Sequence, residues 1–327
     1  MRDIAASLLE RIKTDGVGKS SEINPFWRAE FAKLRQLLGD GASEVTSEQL
    51  AQALGYNGRR LLDDVAGNSE TPLWAEMLSA IELGEFGEDP AKREHAKALA
   101  FVGQRCGLAD YLNWVDRRRL VSNMNLVRYW WYARRLKWTI KKIKPRRCLE
   151  IGIGAGLFAS LLVDEGLVSH YVLVDFPEML LNAMLVLGEV YPQAQVRYGE
   201  TPDFAEPGLV FWMLETSQIA LVPGGSVDFA LNFYSFMEMD ERVRDFYFDE
   251  IYRTCRRGSI FYNVNKRQLR MTRRDGRSFE NNPLFYPYRS TDHILEWEPD
   301  EFQQALRSDV LYTPNKSFAI SRISVVR

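Results

Sequence analysis

The chain has 327 residues, 46% hydrophobic and 26% charged, with 42 Lys and Arg against 44 Asp and Glu. That composition excludes a disordered or low-complexity chain and supplies enough length for a sizeable core and about two domains. A formal charge of -2 leaves no basic excess to draw the whole molecule onto nucleic acid or an anionic membrane, so function has to reside in local sites.

From the N-terminus, residues 1–134 read as a mainly helical domain or cap. Ile4, Leu8, Leu9 and Ile12 fall at helical spacing, as do Phe26, Trp27, Phe31, Leu34, Leu37 and Leu38 before a Gly-Asp-Gly break at 39–41. Asp3, Glu10 and Lys13 interrupt any apolar stretch, so this start lacks the core of a signal peptide, and no run reaches the ~18 apolar residues of a spanning helix. Residues 46–65, TSEQLAQALGYNGRRLLDDV, have the outline of a helix-turn-helix DNA reader. Their second helix carries only Arg59 and Arg60 ahead of Asp63 and Asp64, so DNA binding is kept only as a rival. Residues 126–140, LVRYWWYARRLKWTI, put Tyr129, Trp130, Trp131, Tyr132 and Trp138 on one helix; a core helix is the favoured reading over a base-stacking surface. Cys106, Cys148 and Cys255 lie far apart, with no CxxC pair and no histidine at ligand spacing. The expectation is a cytoplasmic protein without a metal site, a membrane or a nucleic-acid partner, and with a homodimer left open.

At Arg147 the pattern changes to short strands alternating with helices. CLEI, YVLVDF, QVRYG, DFALNFY, GSIFYNV and FAISRISVV read as strands; LFASLLVDEG, PEMLLNAMLVLGEVY and DERVRDFYFDEIYRTCRR read as helices. This is α/β: a doubly wound, mainly parallel sheet over residues 135–327 that closes with an antiparallel strand. Glu150-Ile-Gly152-Ile-Gly154-Ala-Gly156 sits where the first strand hands over to a helix, at the ligand-binding edge of such a sheet. The spacing is GxGxG with an acid two residues upstream, not GxGxxG. A carboxylate there would repel a pyrophosphate but can hold a cation, which favours S-adenosylmethionine over a dinucleotide. Asp175 ends the second strand, 25 residues on, where an acid can accept from both ribose hydroxyls; alone, it reads equally well as a cap for the helix beginning near Pro177.

These residues carry a resemblance. LEIGIGAGLFA, YVLVDFPEMLL and DFALNFYSFMEMD resemble the Rossmann-type S-adenosylmethionine-dependent methyltransferases, and within them the sugar O-methyltransferase group, over roughly residues 125–325. The resemblance implies that Glu150, Gly152, Gly154 and Gly156 line the methionine part of the cofactor, and that Asp175, with Phe176 beside it, takes the ribose. It further implies that the turn from Asn232 through Tyr234 and Ser235 to Glu238 faces the transferred methyl.

Methyl transfer to an alcohol needs a base to remove the hydroxyl proton. Glu238, in the turn after DFALNF, and His293, in YRSTDHILEW, are the candidates. Tyr234, Ser235, Asn263 and Asn265 are candidate acceptor contacts; Asn at strand ends is also ordinary turn chemistry. Lys266, Arg267, Arg270, Arg273, Arg274 and Arg277 form a basic tract that reads as a solvated loop, or else as a cover for an anionic acceptor. The rival chemistry is N-methylation, with Glu215, Glu238, Asp240 and Glu241 clamping a cationic amine or guanidino group.

Overall fold

The computed structural model describes residues 2–15, 31–32, 36, 90–118, 120, 122–140, 146–267, 269–272, 278–306 and 318–327. The helix-turn-helix segment 46–65, most of the run 26–38, Arg273, Arg274, Arg277 and the side chain of Arg270 lie outside the described residues.

In chain order the helices and strands are α1 (Arg2–Asp15), α2 (Pro90–Cys106), α3 (Leu108–Arg117), α4 (Met124–Thr139), β1 (Arg147–Ile151), α5 (Leu157–Asp164), β2 (His170–Asp175), α6 (Pro177–Val190), β3 (Gln195–Tyr198) and β4 (Val210–Glu215). There follow β5 (Val227–Phe233), α7 (Glu241–Thr254), β6 (Cys255–Lys266), the hairpin β7 (Leu269–Thr272) and β8 (Ser278–Asn281), β9 (His293–Pro299), α8 (Glu301–Leu306) and β10 (Ala319–Val325). Local chemistry sets several of these boundaries. Pro177 occupies the first helical position of α6, where its missing N–H costs nothing; the Asp240 carboxylate accepts the Val243 N–H to cap α7, and Asn123 accepts from Leu126 to cap α4.

The described residues fall into two compact units. One holds α1 and the whole sheet. Its eight strands run in the order β3-β4-β2-β1-β5-β6-β10-β9, parallel from β3 to β6, with β10 antiparallel to β6 and β9 antiparallel to β10. The doubly wound sheet and the antiparallel FAISRISVV strand are as the sequence leads one to expect. Val210–Glu215 is an additional parallel strand between β2 and β3: FWML is too short and uniformly apolar to declare a period. The β7–β8 hairpin and the outer strand β9 are likewise additions.

Helices cover both faces. On one, Phe158 of α5 packs edge-on against Phe233 of β5, and Tyr191, just past α6, against Phe211 of β4. On the other, Tyr247, Phe248, Ile251 and Tyr252 of α7 bury against Leu149, Ile151, Val172, Ala230 and Phe261. Each such aromatic or aliphatic side chain contributes about 1.5–3 kcal/mol of burial. Helix α1, which the sequence assigns to the N-terminal part, packs on α6, and its Arg11 donates to Glu215 at the end of β4 (3.1 and 3.3 Å).

The second unit holds α2, α3, α4 and α8. Trp130, Trp131 and Tyr132 are buried in it, with Trp131 edge-on to Phe101 and Trp130 against Tyr111 and Trp114, while Trp138 stays 42% exposed. The aromatic run of α4 therefore builds a core. No described helix is long and apolar enough to cross a membrane.

Candidate active site

The carboxyl ends of β1, β2, β4 and β5 form one edge, and the sheet register places Glu150, Asp175, Glu215 and the turn after Phe233 along it. In a doubly wound sheet this edge is where ligands bind.

The glycine turn is built by its neighbours. Gly152 has φ 76° and donates its N–H to the Val174 carbonyl at 2.9 Å. A Cβ on Gly152 would fall on the Ser235 side chain, so this glycine lets the turn after β5 approach the turn after β1. Gly156 abuts Ala183 and Leu187 and sets how closely α5 starts against α6. Gly154, φ 56°, is different: a Cβ there would meet no described atom within 4 Å. Of the three, it is the one whose bare backbone faces outward at the ligand-binding edge.

Asp175 organises this turn. Its Oδ2 accepts the N–H groups of Ile153 (2.8 Å) and Gly154 (3.3 Å), and its Oδ1 accepts the N–H of Phe176 (2.8 Å). A carboxylate offers about four acceptor positions, so three are filled by backbone and roughly one remains for a ligand hydroxyl. The helix-cap reading does not hold, since Phe176 is the N-cap of α6 and no side chain caps it; Asp175 binds the N–H of Phe176 ahead of the helix and pins the glycine turn from across the strand gap. Phe176 packs edge-on to Phe31 at 5.7 Å between centroids, which makes it part of the wall beside the strand end.

Glu150 is 2% exposed and its Oε2 accepts the Tyr171 hydroxyl at 2.7 Å. Burial pushes its carboxyl up to about 8, against the lowering effect of the Tyr171 hydrogen bond and with a further rise from Asp175. Burial likewise pushes Asp175 up to about 7, opposed by its three backbone hydrogen bonds and reinforced by the charge of Glu238. Glu238 ends the short 3-10 turn Phe236–Glu238, half-buried, with its field on Asp175. Asp175 thus holds the glycine turn, with Glu150 buried just before it in β1 and Glu238 near enough for its charge to bear on Asp175.

Both buried acids hold protons more tightly folded than unfolded. Below their ordinary values near 4 their stabilising effect is complete, and it is lost as pH rises through about 7 for Asp175 and about 8 for Glu150. The ligand-free melting temperature is thus expected to fall between about pH 4 and about pH 8, and to fall less in Glu150→Gln, which keeps an acceptor for Tyr171. Parallel pH profiles for the two proteins would contradict the assignment.

The turn after β5 is strained and heavily tied. Tyr234 has φ 62°, a left-handed conformation that a bulky residue adopts at a cost of about 1–2 kcal/mol. Asn232, fully buried, donates to the Ile151 carbonyl (2.9 Å) and to Ser235, and accepts from the Phe236 N–H (3.3 Å) and from Asn265 (2.8 Å). Asn265 donates also to Asn263 (2.7 Å) and accepts the Met237 N–H (2.9 Å), and Asn263 donates to the Tyr288 hydroxyl (3.0 Å).

These contacts revise three expectations. Asn232, Asn263 and Asn265 are at most 1% exposed and spend their amides on one another and on the turn, so they support the site from beneath instead of touching cofactor or acceptor. Ser235 is drawn inward too, donating to the Ile151 carbonyl at 3.1 Å.

His293 is displaced altogether. It is paired with Val325, Val325 with Ile260, Ile260 with Phe229 and Phe229 with Cys148, which puts it level with the start of β1 on an exposed edge strand. Strand spacing and rise place it roughly 20 Å from Tyr234. Strand β9 runs antiparallel to β10 and so in the same sense as β1 to β6, which puts its first residue at the amino edge of the sheet, opposite the functional edge. His293 is no base for this site.

The acids proposed to clamp a cationic acceptor also separate. Glu215 accepts from Arg11 and from the Tyr198 hydroxyl, Asp240 caps α7, and Glu241 is 70% exposed at its side chain. Glu215 nevertheless belongs to the site edge, directly beside Asp175 in register, a neighbour that the sequence, with this strand unrecognised, did not give it. Among the described residues no grouping of His, Cys, Asp and Glu could hold a metal ion.

No protein-family profile matches the chain, and no curated protein matches it. Among solved structures, a sarcosine dimethylglycine methyltransferase, so named provisionally, from Galdieria sulphuraria is similar at 14% identity, covering 61% of this chain and 85% of that one, with a TM-score of 0.43. The 1,6-didemethyltoxoflavin-N1-methyltransferase of Burkholderia thailandensis, solved with S-adenosylhomocysteine, aligns at 12% identity over 79% and 93% of the two chains, TM-score 0.40. An S-adenosylmethionine-dependent methyltransferase from Mesorhizobium loti aligns at 13% identity over 59% and 96%, TM-score 0.36.

Proposed function

We propose that the chain is an S-adenosylmethionine-dependent methyltransferase acting on a small-molecule acceptor, with a sugar hydroxyl as the preferred acceptor. The observation that carries this is a glycine turn at the carboxyl edge that is pinned by Asp175, preceded by the buried Glu150 and packed at Gly152 against the Ser235 turn that bears Glu238. An edge so furnished repels a pyrophosphate and suits a cofactor carrying ammonium and sulfonium charges. The bound cofactor would supply an electrophilic methyl; the protein's part is to hold it and to align and deprotonate the acceptor oxygen.

In this reading Gly152, Gly154 and Gly156 shape the methionine side, Glu150, which burial holds protonated at neutral pH, would be drawn to its charged form by a cationic cofactor above it, and Asp175 offers its remaining acceptor position to the ribose. Glu238 stands as the base, and Tyr234 contributes to the acceptor wall.

Calorimetry with S-adenosylhomocysteine tests the cofactor, and transfer of a labelled methyl to a panel of sugars, amines and amino acids tests the acceptor. Heat of binding is expected, with label on sugars. Absence of heat would end the methyltransferase reading, and label on amines alone would replace oxygen by nitrogen as the acceptor atom. Glu238→Gln is expected to lower turnover by about 10²–10⁴-fold with cofactor affinity unchanged; undiminished turnover would remove Glu238 as the base.

A further inference from the structure

The turn bearing Glu238 is tied to the sheet through Asn232 and Asn265, but its outer side is held by a residue from outside the sheet. Asn281 ends β8 of the β7–β8 hairpin and is fully buried. Its Nδ2 donates to the carbonyls of Phe236 (2.9 Å), Met237 (3.1 Å) and Met239 (2.7 Å), the residues that bracket Glu238. Its Oδ1 accepts from Nη1 of Arg244 (3.0 Å), a buried arginine of α7 whose other nitrogens bind Asp245 and whose guanidinium lies 4.9 Å from the Tyr286 ring centre. Strand β7 rests against the same turn.

We propose that Asn281 is a positioning residue for Glu238, so that the hairpin arm, and not the sheet alone, sets where the catalytic carboxylate stands. This rests on the reading of Glu238 as the base. An amide is the group that suits the place: two N–H hydrogens answer three carbonyl oxygens, one of them shared, while the carbonyl end fixes the orientation through Arg244. Aspartate would set oxygen against oxygen. Among the described residues Asn281 makes no hydrogen bond to the glycine turn or Asp175, and the Ser235 end of the turn is tied to Ile151 through Asn232 and Ser235 itself, so cofactor binding and turnover should separate.

The test compares wild type, Asn281→Ala and Asn281→Asp as full chains, by amide hydrogen exchange, calorimetry with S-adenosylhomocysteine, and turnover. Exchange at Glu238 and Met239 is expected to quicken by about tenfold or more. Cofactor affinity should stay within about twofold while turnover falls about a hundredfold at nearly constant acceptor KM. In Asn281→Asp the turnover relative to wild type should recover as pH falls, because the protonated carboxyl regains a donor. Unchanged exchange at 238–239, or an equal loss of cofactor affinity and turnover, would overturn the proposal. Quickened exchange in a protein that binds S-adenosylhomocysteine but methylates nothing would leave Asn281 holding the turn and strike out the reading of Glu238 instead. Should Asn281→Ala fail to fold, the aspartate variant, which is isosteric and keeps the Arg244 partner, decides the matter.

Discussion

Asp175→Ala is expected to weaken S-adenosylhomocysteine binding by about a hundredfold or more. Two losses combine. The ribose loses a charged acceptor, worth about 1.5–3 kcal/mol, and the N–H groups of Ile153, Gly154 and Phe176 lose the carboxylate that orders the turn. A total near 3 kcal/mol corresponds to about two decades in the dissociation constant. Because three backbone donors, one of them fully buried, are released at once, the melting temperature should drop as well, which separates this residue from one that merely touches ligand. Asp175→Asn, with one acceptor oxygen retained, should fall between wild type and alanine on both scales. Calorimetry and thermal melts give both readings, and alanine binding as tightly as wild type would sink the ribose assignment.

The second large effect sets two glycines against each other. Both Gly152 and Gly154 have positive φ, so alanine at either costs about 1–2 kcal/mol of backbone strain. At Gly152 the new methyl also collides with Ser235, adding about 1–3 kcal/mol of overpacking. Against a total stability of about 5–15 kcal/mol that is a large fraction, so Gly152→Ala should lower the melting temperature by about 5–15 °C. Pairing it with Ser235→Gly should return part of the loss. At Gly154 the methyl meets no described atom, so stability should drop only by the strain while cofactor affinity falls about tenfold or more. Melts and calorimetry on the two variants must therefore cross; equal behaviour on both scales would show that Gly154 does not face the cofactor.

The parts of the fold that could be read from sequence are those with a strong local signal. The glycine turn, the acid at the end of YVLVD and the alternation of strands and helices from Arg147 onward declare β1, β2, β5, β6 and the helices between them. Strand β4 stayed hidden because VFWMLE has no period, and with it the place of Glu215 beside Asp175, although Glu215 itself stood among the candidate clamping acids. The basic tract conceals a hairpin, and Asn281 looks like any asparagine ahead of Asn-Pro. Asn263 and Asn265 show why residue type alone misleads: an amide at a strand end serves a turn, a ligand or a buried network equally well, and only burial tells them apart. His293 failed for a topological reason. Chain order says that it follows β6, but which end of the sheet it reaches depends on β9 pairing antiparallel with β10, a long-range fact with no local trace.

The close fit of Gly152 against Ser235 binds two segments distant in the chain into one inherited unit. Neither site can enlarge unless the other shrinks, so drift at one is checked by the other, and a lineage that replaces the glycine has to lose the serine side chain first or change both together. The turns after β1 and β5 then evolve as a pair, and the acceptor side cannot be remodelled there without consequences for the cofactor side.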